Sequence, residues 1–175
     1  AGAERTVRIS SICPYFGDDY QNLDYILGEL DDVPQGADLV ALPSMPFLSF
    51  ETGQAAEALQ PFAEFARDRG TYVALALTEM DGDDTYRTAV LIDRDGALCG
   101  KYRKSHSIAD EDVDLGDVLP VFETDFGTIG MSVGTDFFFP EVYEVLHMKG
   151  AEILTWHHYP QRVRDHNGWD ALLMA

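Results

Sequence analysis

The chain has 175 residues, of which 46% are hydrophobic and 11% aromatic, so it has the length of one domain and enough apolar side chains for a buried core. This composition excludes an intrinsically disordered chain. The net charge of −19 and the pI near 4.3 exclude a nucleic-acid-binding surface, because there is no basic patch to neutralise phosphates. Two explanations of the acidity stay open, namely adaptation to high salt and ordinary solubility.

Cysteine content and hydropathy further limit the classes of protein to which this chain can belong. Cys13 and Cys99 form neither a disulfide framework nor a metal signature, and we expect both to be small buried side chains. The first ten residues carry charges where a signal peptide is apolar, and the longest uncharged run, 39–50, is too short to cross a bilayer. We therefore expect a soluble, cytoplasmic protein that contacts no membrane and no nucleic acid.

The first part of the chain alternates apolar runs with helical patterns. We predict strands at 6–12 and 38–42, the second ended by Pro43, and an amphipathic helix at 22–30. The segment 52–69 is also helical in pattern. Pro61 divides it and is predicted to open a second helix, because proline is tolerated at the first helical position.

Strand signals dominate the middle of the chain. Residues 72–77 are apolar on both faces, as in a strand covered on both sides. Strands at 86–92 and 97–104 flank Asp95-Gly96, a strong hairpin signal. An acidic loop follows at 105–118.

The later part predicts a strand, a sharp elbow, a helix and another strand. Strands at 121–122 and 128–133 pair around Gly127, and a tight turn follows at 134–136. A helix starts at Pro140, has an apolar face and ends at Gly150, after which a strand starts at Ala151. The apolar face of this helix is formed by Val142, Val145, Leu146 and Met148. The elbow should therefore lie at the carboxyl edge of a sheet, where α/β proteins bind their ligands.

These elements predict one α/β domain over residues 1–175, a sandwich with a mixed sheet. The last segment, 165–175, reads as a helix start with Trp169, Leu172 and Leu173 facing inwards. It has no cap, so we expect the chain to be cut within this element.

Several motifs, in order, resemble those of the nitrilase (carbon–nitrogen hydrolase) superfamily. They are Gly36-Ala37-Asp38-Leu39-Val40, Ala41-Leu42-Pro43, the 86–96 hairpin, Gly100-Lys101-Tyr102-Arg103-Lys104, Val121 to Gly127, and the elbow with Asp136, Phe139-Pro140-Glu141 and Gly150 to Leu154. The resemblance implies the family's αββα fold. Full-length members run further, so this chain would supply only the first part of that fold.

The resemblance also implies a catalytic set, two members of which are replaced here. In the family, a cysteine thiolate attacks a nitrile or amide carbon, a glutamate is the general base, and a lysine stabilises the oxyanion. Lys104 matches the lysine. Ser44 stands where the family has its glutamate, and Gly134 stands where it has its cysteine.

Other residues receive roles from the same comparison. Thr135 and Ser44 are the candidates for substitute catalytic groups. We expect both instead to be small side chains that fill the space of the replaced residues, because a hydroxyl is no base at neutral pH. Glu111 corresponds to a supporting glutamate of some members, and Asp136 should bond backbone N–H groups at the elbow. Trp156 and His157 lie where the family shapes its substrate pocket.

No cofactor is implied, and we expect no metal. His157, His158 and His166 invite a zinc site, but adjacent residues on a strand face opposite sides and no cysteine or nearby carboxylate completes a set.

Three functional hypotheses follow. The first is a catalytically silent domain acting as a binding or scaffold subunit, assembled as a homo-oligomer through helices 140–149 and 165–175, where family members commonly dimerise. The second is an active hydrolase of a small amide, carbamoyl compound or nitrile. The third is a small-molecule binder that uses the vacated pocket around Ser44, Lys104 and Thr135.

Overall fold

A computed structural model describes residues 6–13, 22–108 and 111–158, which form two sheets and three helices. Sheet A, in spatial order, contains β1 Ile9–Ser11, β2 Leu39–Glu51, β3 Tyr72–Asp81, β4 Asp84–Ile92 and β5 Leu98–Arg103. Sheet B contains β6 Val121–Glu123, β7 Thr128–Val133 and β8 Ile153–His157. The helices are α1 Leu23–Asp31, α2 Ala56–Arg69 and α3 Pro140–Met148, and a 3₁₀ helix spans Gly134–Phe138. Each sheet has parallel and antiparallel neighbours.

Three apolar clusters separate four layers. One cluster lies between α1, α2 and the outer face of sheet A, a second between the two sheets, and a third between sheet B and α3. β3 belongs to both of the first two clusters, with Leu75 facing the helices and Ala74 facing sheet B. The order helix, sheet, sheet, helix confirms the predicted α/β sandwich with mixed sheets.

Strand β5 separates its side chains cleanly between two layers. Lys101 and Arg103 face the α2 side, where both bind the buried carboxylate of Glu79, at 2.6 and 2.8 Å. Burial alone would raise the pKa of Glu79, but the hydrogen bonds from Arg103 and Lys101 lower it to about 2. Tyr102 and Lys104 are buried on the other side, towards sheet B. The alternation of a strand thus assigns Lys104 to the interior.

The prediction that Pro43 ends the second strand was wrong. β2 continues to Glu51, through Pro43 and Pro46. Its pairing with β3 is irregular between Ala41 and Ser44 and again between Met45 and Ser49. Irregularities of this kind accommodate prolines, which have no N–H for the ladder.

The prediction that Pro61 opens a second helix was also wrong, because α2 is continuous from Ala56 to Arg69. Proline removes one hydrogen bond of the helix. The same helix buries Leu59, Phe62 and Ala66 against sheet A. Burial of such side chains contributes about 1.5–3 kcal/mol for each large one, which outweighs the lost bond.

Three residues that were predicted to be buried are exposed. Cys13 and Cys99 are both exposed. Cys99 lies on an edge strand, although its sulfur contacts the carbonyl of Leu91 and local burial raises its pKa to about 11. Met148 was placed on the apolar face of α3 but is 84% exposed, because that face is formed by Val142 and Leu146, four residues apart.

The hairpin prediction was confirmed, since β4 and β5 pair around the Asp95-Gly96 turn. Gly96 has φ 78°, and a Cβ there would lie 2.6 Å from the carbonyl oxygen of Ala63 in α2. The pairing of β6 with β7 was confirmed as well. The predicted helix at 165–175 lies outside the described residues. Among the residues that the structure describes, no helix is long and apolar enough to cross a membrane.

Candidate active site

The elbow after β7 is built around a glycine in a left-handed backbone conformation. β7 ends at Val133, and Gly134, with φ 54°, starts the 3₁₀ helix that leads towards α3. The predicted tight turn at 134–136 is the first part of that 3₁₀ helix. Residues with a Cβ adopt such a φ at a cost and are held there by their surroundings, a condition typical of functional elbows.

Asp136 holds the elbow against two other segments. Its carboxylate is fully buried and accepts hydrogen bonds from the N–H groups of Val133 at 2.9 Å and His106 at 2.9 Å, and from the Tyr102 hydroxyl at 2.8 Å. The N–H of Ser105 is a fourth donor, at 3.3 Å. Burial raises the pKa of Asp136, and these hydrogen bonds oppose that rise. This is the backbone-bonding role predicted for Asp136, and its contact with a ligand stays a prediction.

Lys104 lies beside the elbow. It follows β5, is 1% exposed, and its ammonium binds the carboxylate of Glu111. A Cβ built on Gly134 would lie 3.9 Å from the Lys104 Nζ atom. Position 134 and Lys104 are therefore neighbours in the structure.

Glu111 joins Lys104 to the elbow. Its carboxylate also accepts hydrogen bonds from the hydroxyls of Ser107 at 2.7 Å and Thr135 at 3.0 Å. Burial alone would raise the pKa of Glu111, but the hydrogen bonds from Lys104 and Ser107 outweigh burial and lower it. Glu111 is thus an ionised partner of Lys104, and its lowered pKa makes it a weak base.

The carboxyl end of β8 lies between Ser44 and Gly134. The Ser44 N–H donates to the carbonyl of His158 at 3.1 Å, and the indole N–H of Trp156 donates to the carbonyl of Gly134 at 2.8 Å. In the parallel pairing of β7 with β8, Val133 is opposite His157. The structure therefore brings the positions of Ser44 and Gly134 to the same end of β8.

His157 lies inside the protein. It is fully buried, with Nδ1 2.7 Å from the carbonyl oxygen of Leu42 and Nε2 2.9 Å from the hydroxyl of Thr155. A carbonyl only accepts, so Nδ1 carries a proton, and in the neutral ring Nε2 accepts from Thr155. Burial lowers the pKa of His157 to about 4. Its predicted contact with a substrate finds no support in this geometry.

Trp156 forms part of an aromatic stack. Its ring is stacked 4.5 Å from that of Phe137 and 4.9 Å from that of His158, and the residue is 37% exposed. Its alternation with the inward-facing His157 puts it on the outer face of sheet B. A role for Trp156 in ligand binding stays a prediction.

Sequence reasoning missed a chain of hydrogen bonds behind Lys104. The Tyr102 hydroxyl donates to Asp136, so the Ser105 hydroxyl, 2.8 Å from it, donates to the tyrosine oxygen. The Ser105 oxygen then accepts from Nδ1 of His106, at 2.9 Å. The imidazole is therefore a donor to Ser105 and does not activate it as a nucleophile. Strand alternation was the available signal, because it puts Tyr102 on the same side as Lys104.

Potential metal ligands are not grouped in the described ranges. No three His, Cys, Asp or Glu side chains of residues 6–13, 22–108 and 111–158 are placed to hold an ion. His166 lies outside those ranges. An open groove of about 1000 Å³ lies elsewhere, between α2 and β5, and none of the candidate site residues lines it.

The family is shown by comparison with known proteins. The sequence pattern of the carbon–nitrogen hydrolase family matches residues 6–173, so the chain belongs to that family. It is 34% identical over 141 residues to a nitrilase of Pyrococcus abyssi, an alignment covering 69% of this chain and 51% of that protein. It is 28% identical over 167 residues to the deaminated glutathione amidase of Homo sapiens, covering 82% of this chain and 49% of the relative.

Solved structures show the same fold. The carbon–nitrogen hydrolase from Helicobacter pylori G27 superposes with a TM-score of 0.75 at 21% identity, over 96% of this chain and 65% of that one. An amidase from Nesterenkonia sp. AN1, solved with an acetamide moiety covalently added to its active-site cysteine, gives 0.67 at 22% identity, over 89% of this chain and 62% of that one. The chain spans about half the length of the two curated relatives named above.

Acid should destabilise the fold through His157. Its pKa is lowered on folding from 6.5 to about 4, so the unfolded chain binds more protons between these values. The free energy of unfolding should therefore be unaffected by this group above pH 6.5. It should fall by up to about 3 kcal/mol towards pH 4, at 1.36 kcal/mol per unit of pKa.

The measurement is urea unfolding of the wild type and of His157→Asn from pH 4.5 to 7.5. Other titrating groups contribute equally to both proteins, so the difference isolates His157. We expect a smaller loss of stability on acidification in the variant. Parallel pH profiles would show that the imidazole is not the titrating group.

Proposed function

We propose that this chain is a carbon–nitrogen hydrolase domain without the covalent chemistry of its family, acting as a binding or scaffold subunit. The observation that carries the proposal is the geometry of position 134. It lies at the elbow, with its virtual Cβ 3.9 Å from the Lys104 ammonium, and it has no side chain. An attacking atom is missing at the position to which the resemblance assigns the nucleophile.

The remaining groups do not replace that atom. Ser44 has no carboxylate to act as a base, and the Thr135 hydroxyl is bonded to Glu111, a weak base with a lowered pKa. Loss of the nucleophile from a coupled catalytic set costs about six orders of magnitude in turnover in a serine protease. We infer a loss of similar size here.

The ligand we propose is a small, neutral, amide-like molecule. Curated relatives include proteins named nitrilase and amidase. In this chain the Lys104 ammonium is balanced by the Glu111 carboxylate, and the carboxyl group of Asp136 lies behind them. An amide offers both a donor and an acceptor, which matches the ammonium of Lys104 and the carboxylate of Glu111. A reducing, cytoplasmic compartment is proposed as well, because Cys13 and Cys99 are exposed free thiols.

An active amidase or nitrilase is the second candidate. The observation in its favour is the retained ion pair of Lys104 and Glu111, which in an active site would stabilise a developing oxyanion. The two candidates differ in turnover.

Restoring the two missing groups distinguishes a silent domain from an active hydrolase. We expect no ammonia release by the wild type from a panel of small amides, N-carbamoyl compounds and nitriles, and release by the Ser44→Glu/Gly134→Cys variant. The matched control is Ser44→Gln/Gly134→Ala, which restores most of the volume without the base or the thiol. Equal turnover by the wild type and the restored variant would overturn the proposal of silence.

We also propose that the domain forms a homo-oligomer through α3 and the segment 165–175, which lies outside the described residues. The observation on the described part is Met148, an apolar side chain of α3 that is 84% exposed. Exposed apolar side chains on a helix are typical of interfaces when they form part of a patch.

Sedimentation equilibrium tests the assembly. We expect a multiple of the 19.5 kDa chain mass for the wild type and a shift towards the monomer for Met148→Lys. Leu98→Lys is the control, because Leu98 is also exposed but lies on β5 in the other sheet. A monomeric wild type, or equal effects of the two substitutions, would contradict this interface.

A further inference from the structure

We propose that His157 is the positioning residue that fixes the Leu42–Pro43–Ser44 segment against the end of β8, and thereby sets the direction of the side chain at position 44. His157 belongs to sheet B, whereas Leu42 belongs to sheet A, 115 residues away in the sequence. The inference concerns the wall of the site and holds whether or not the domain is catalytic.

The first observation is that Leu42 and Pro43 have no partner in the β2–β3 ladder, which resumes at Ser44. β2 pairs regularly with β3 up to Ala41, and the register shifts before Ser44. Pro43 has no N–H to bond with any neighbour. The backbone at 42–43 therefore needs another contact to define its orientation.

The second observation is that β8 supplies that contact on both sides of Pro43. Before the proline, the Leu42 carbonyl accepts from Nδ1 of His157 at 2.7 Å. After it, the Ser44 N–H donates to the carbonyl of His158 at 3.1 Å. His157, the last residue of β8, and His158, which follows it, thus hold both ends of one short segment.

The third observation is the burial of the bridge. His157 is fully buried, Leu42 is 2% exposed and Ser44 is 4% exposed. A buried carbonyl without a donor is costly, so an apolar side chain at 157 would drive the Leu42 carbonyl to seek another partner. Any such movement turns the peptide that leads into Ser44.

The bond of the second ring nitrogen has a different role. Nε2 contacts the hydroxyl of Thr155, which belongs to the same strand, at 2.9 Å. This contact fixes the ring orientation but does not reach β2. The two nitrogens can therefore be tested separately, because Asn places its amide near the position of Nδ1 and Gln places its amide near that of Nε2.

Amide hydrogen exchange by NMR reports the position of the segment without a ligand or turnover. We expect His157→Asn to keep the protection of the Ser44 amide, and His157→Gln to lower it about tenfold or more, relative to the amide of Leu75 in the central ladder. Leu75 follows global unfolding, so the ratio removes any general loss of stability. Thr155→Val, which deletes the other partner of the ring, should leave the ratio unchanged.

Two results would overturn the proposal. Equal Ser44 protection in the Asn and Gln variants would show that the Leu42 bond does not position the segment. A drop in Thr155→Val as large as in His157→Gln would assign the effect to the ring orientation alone. Neither result depends on whether the domain hydrolyses amides. The proposal that the domain is catalytically silent is therefore tested separately, by the ammonia-release experiment.

Discussion

The site depends on one buried carboxylate. Asp136 accepts four hydrogen bonds, from the end of β7, from Tyr102 in β5, and from the two residues that follow Lys104. A buried carboxyl group is tolerated only when its oxygens are satisfied, so each of these segments is held in place by the cost of releasing it. The consequence is that the elbow at Gly134 and the ammonium of Lys104 face each other at a fixed distance.

The function that we propose separates the architecture of the site from its reactive groups. The hydrogen bonds to Asp136, the ion pair of Lys104 with Glu111, and the left-handed elbow are all present, and none of them needs a functional side chain at position 44 or 134. Glycine adopts φ 54° without the steric strain that a Cβ would bring there. A side chain introduced at position 134 is therefore expected to add backbone strain as well as chemistry.

The sequence predicted those parts of the fold whose signals are local. The Asp95-Gly96 hairpin and the Pro140 helix start were right because turn and cap chemistry act over a few residues. The predictions at Pro43 and Pro61 were wrong, because the bulges of β2 and the packing of α2 on sheet A override the local preference of proline. Local rules fail where packing against an element distant in the sequence offsets the local cost of a residue such as proline.

The same distinction applies to the site. Lys104 was identified from its motif, and Glu111 joined it as a loosely matched acid of the following loop. Tyr102 and the bridging position of His157 were not identified, because their partners lie 34 residues away at Asp136 and 115 residues away at Leu42. Hydrogen bonds over such separations depend on how the sheets stack, and no local pattern encodes them.

The central claim is that position 134 is an emptied nucleophile site facing a buried cation. Titration of an introduced thiol tests it most directly, by following the thiolate absorbance of Gly134→Cys against pH after Cys13 and Cys99 have been replaced by serine. With Lys104 beside it, the thiol should titrate below the ordinary value of about 8.5, and the further change Lys104→Met should raise its pKa again. A thiol that titrates at or above about 8.5 in both proteins would contradict the account.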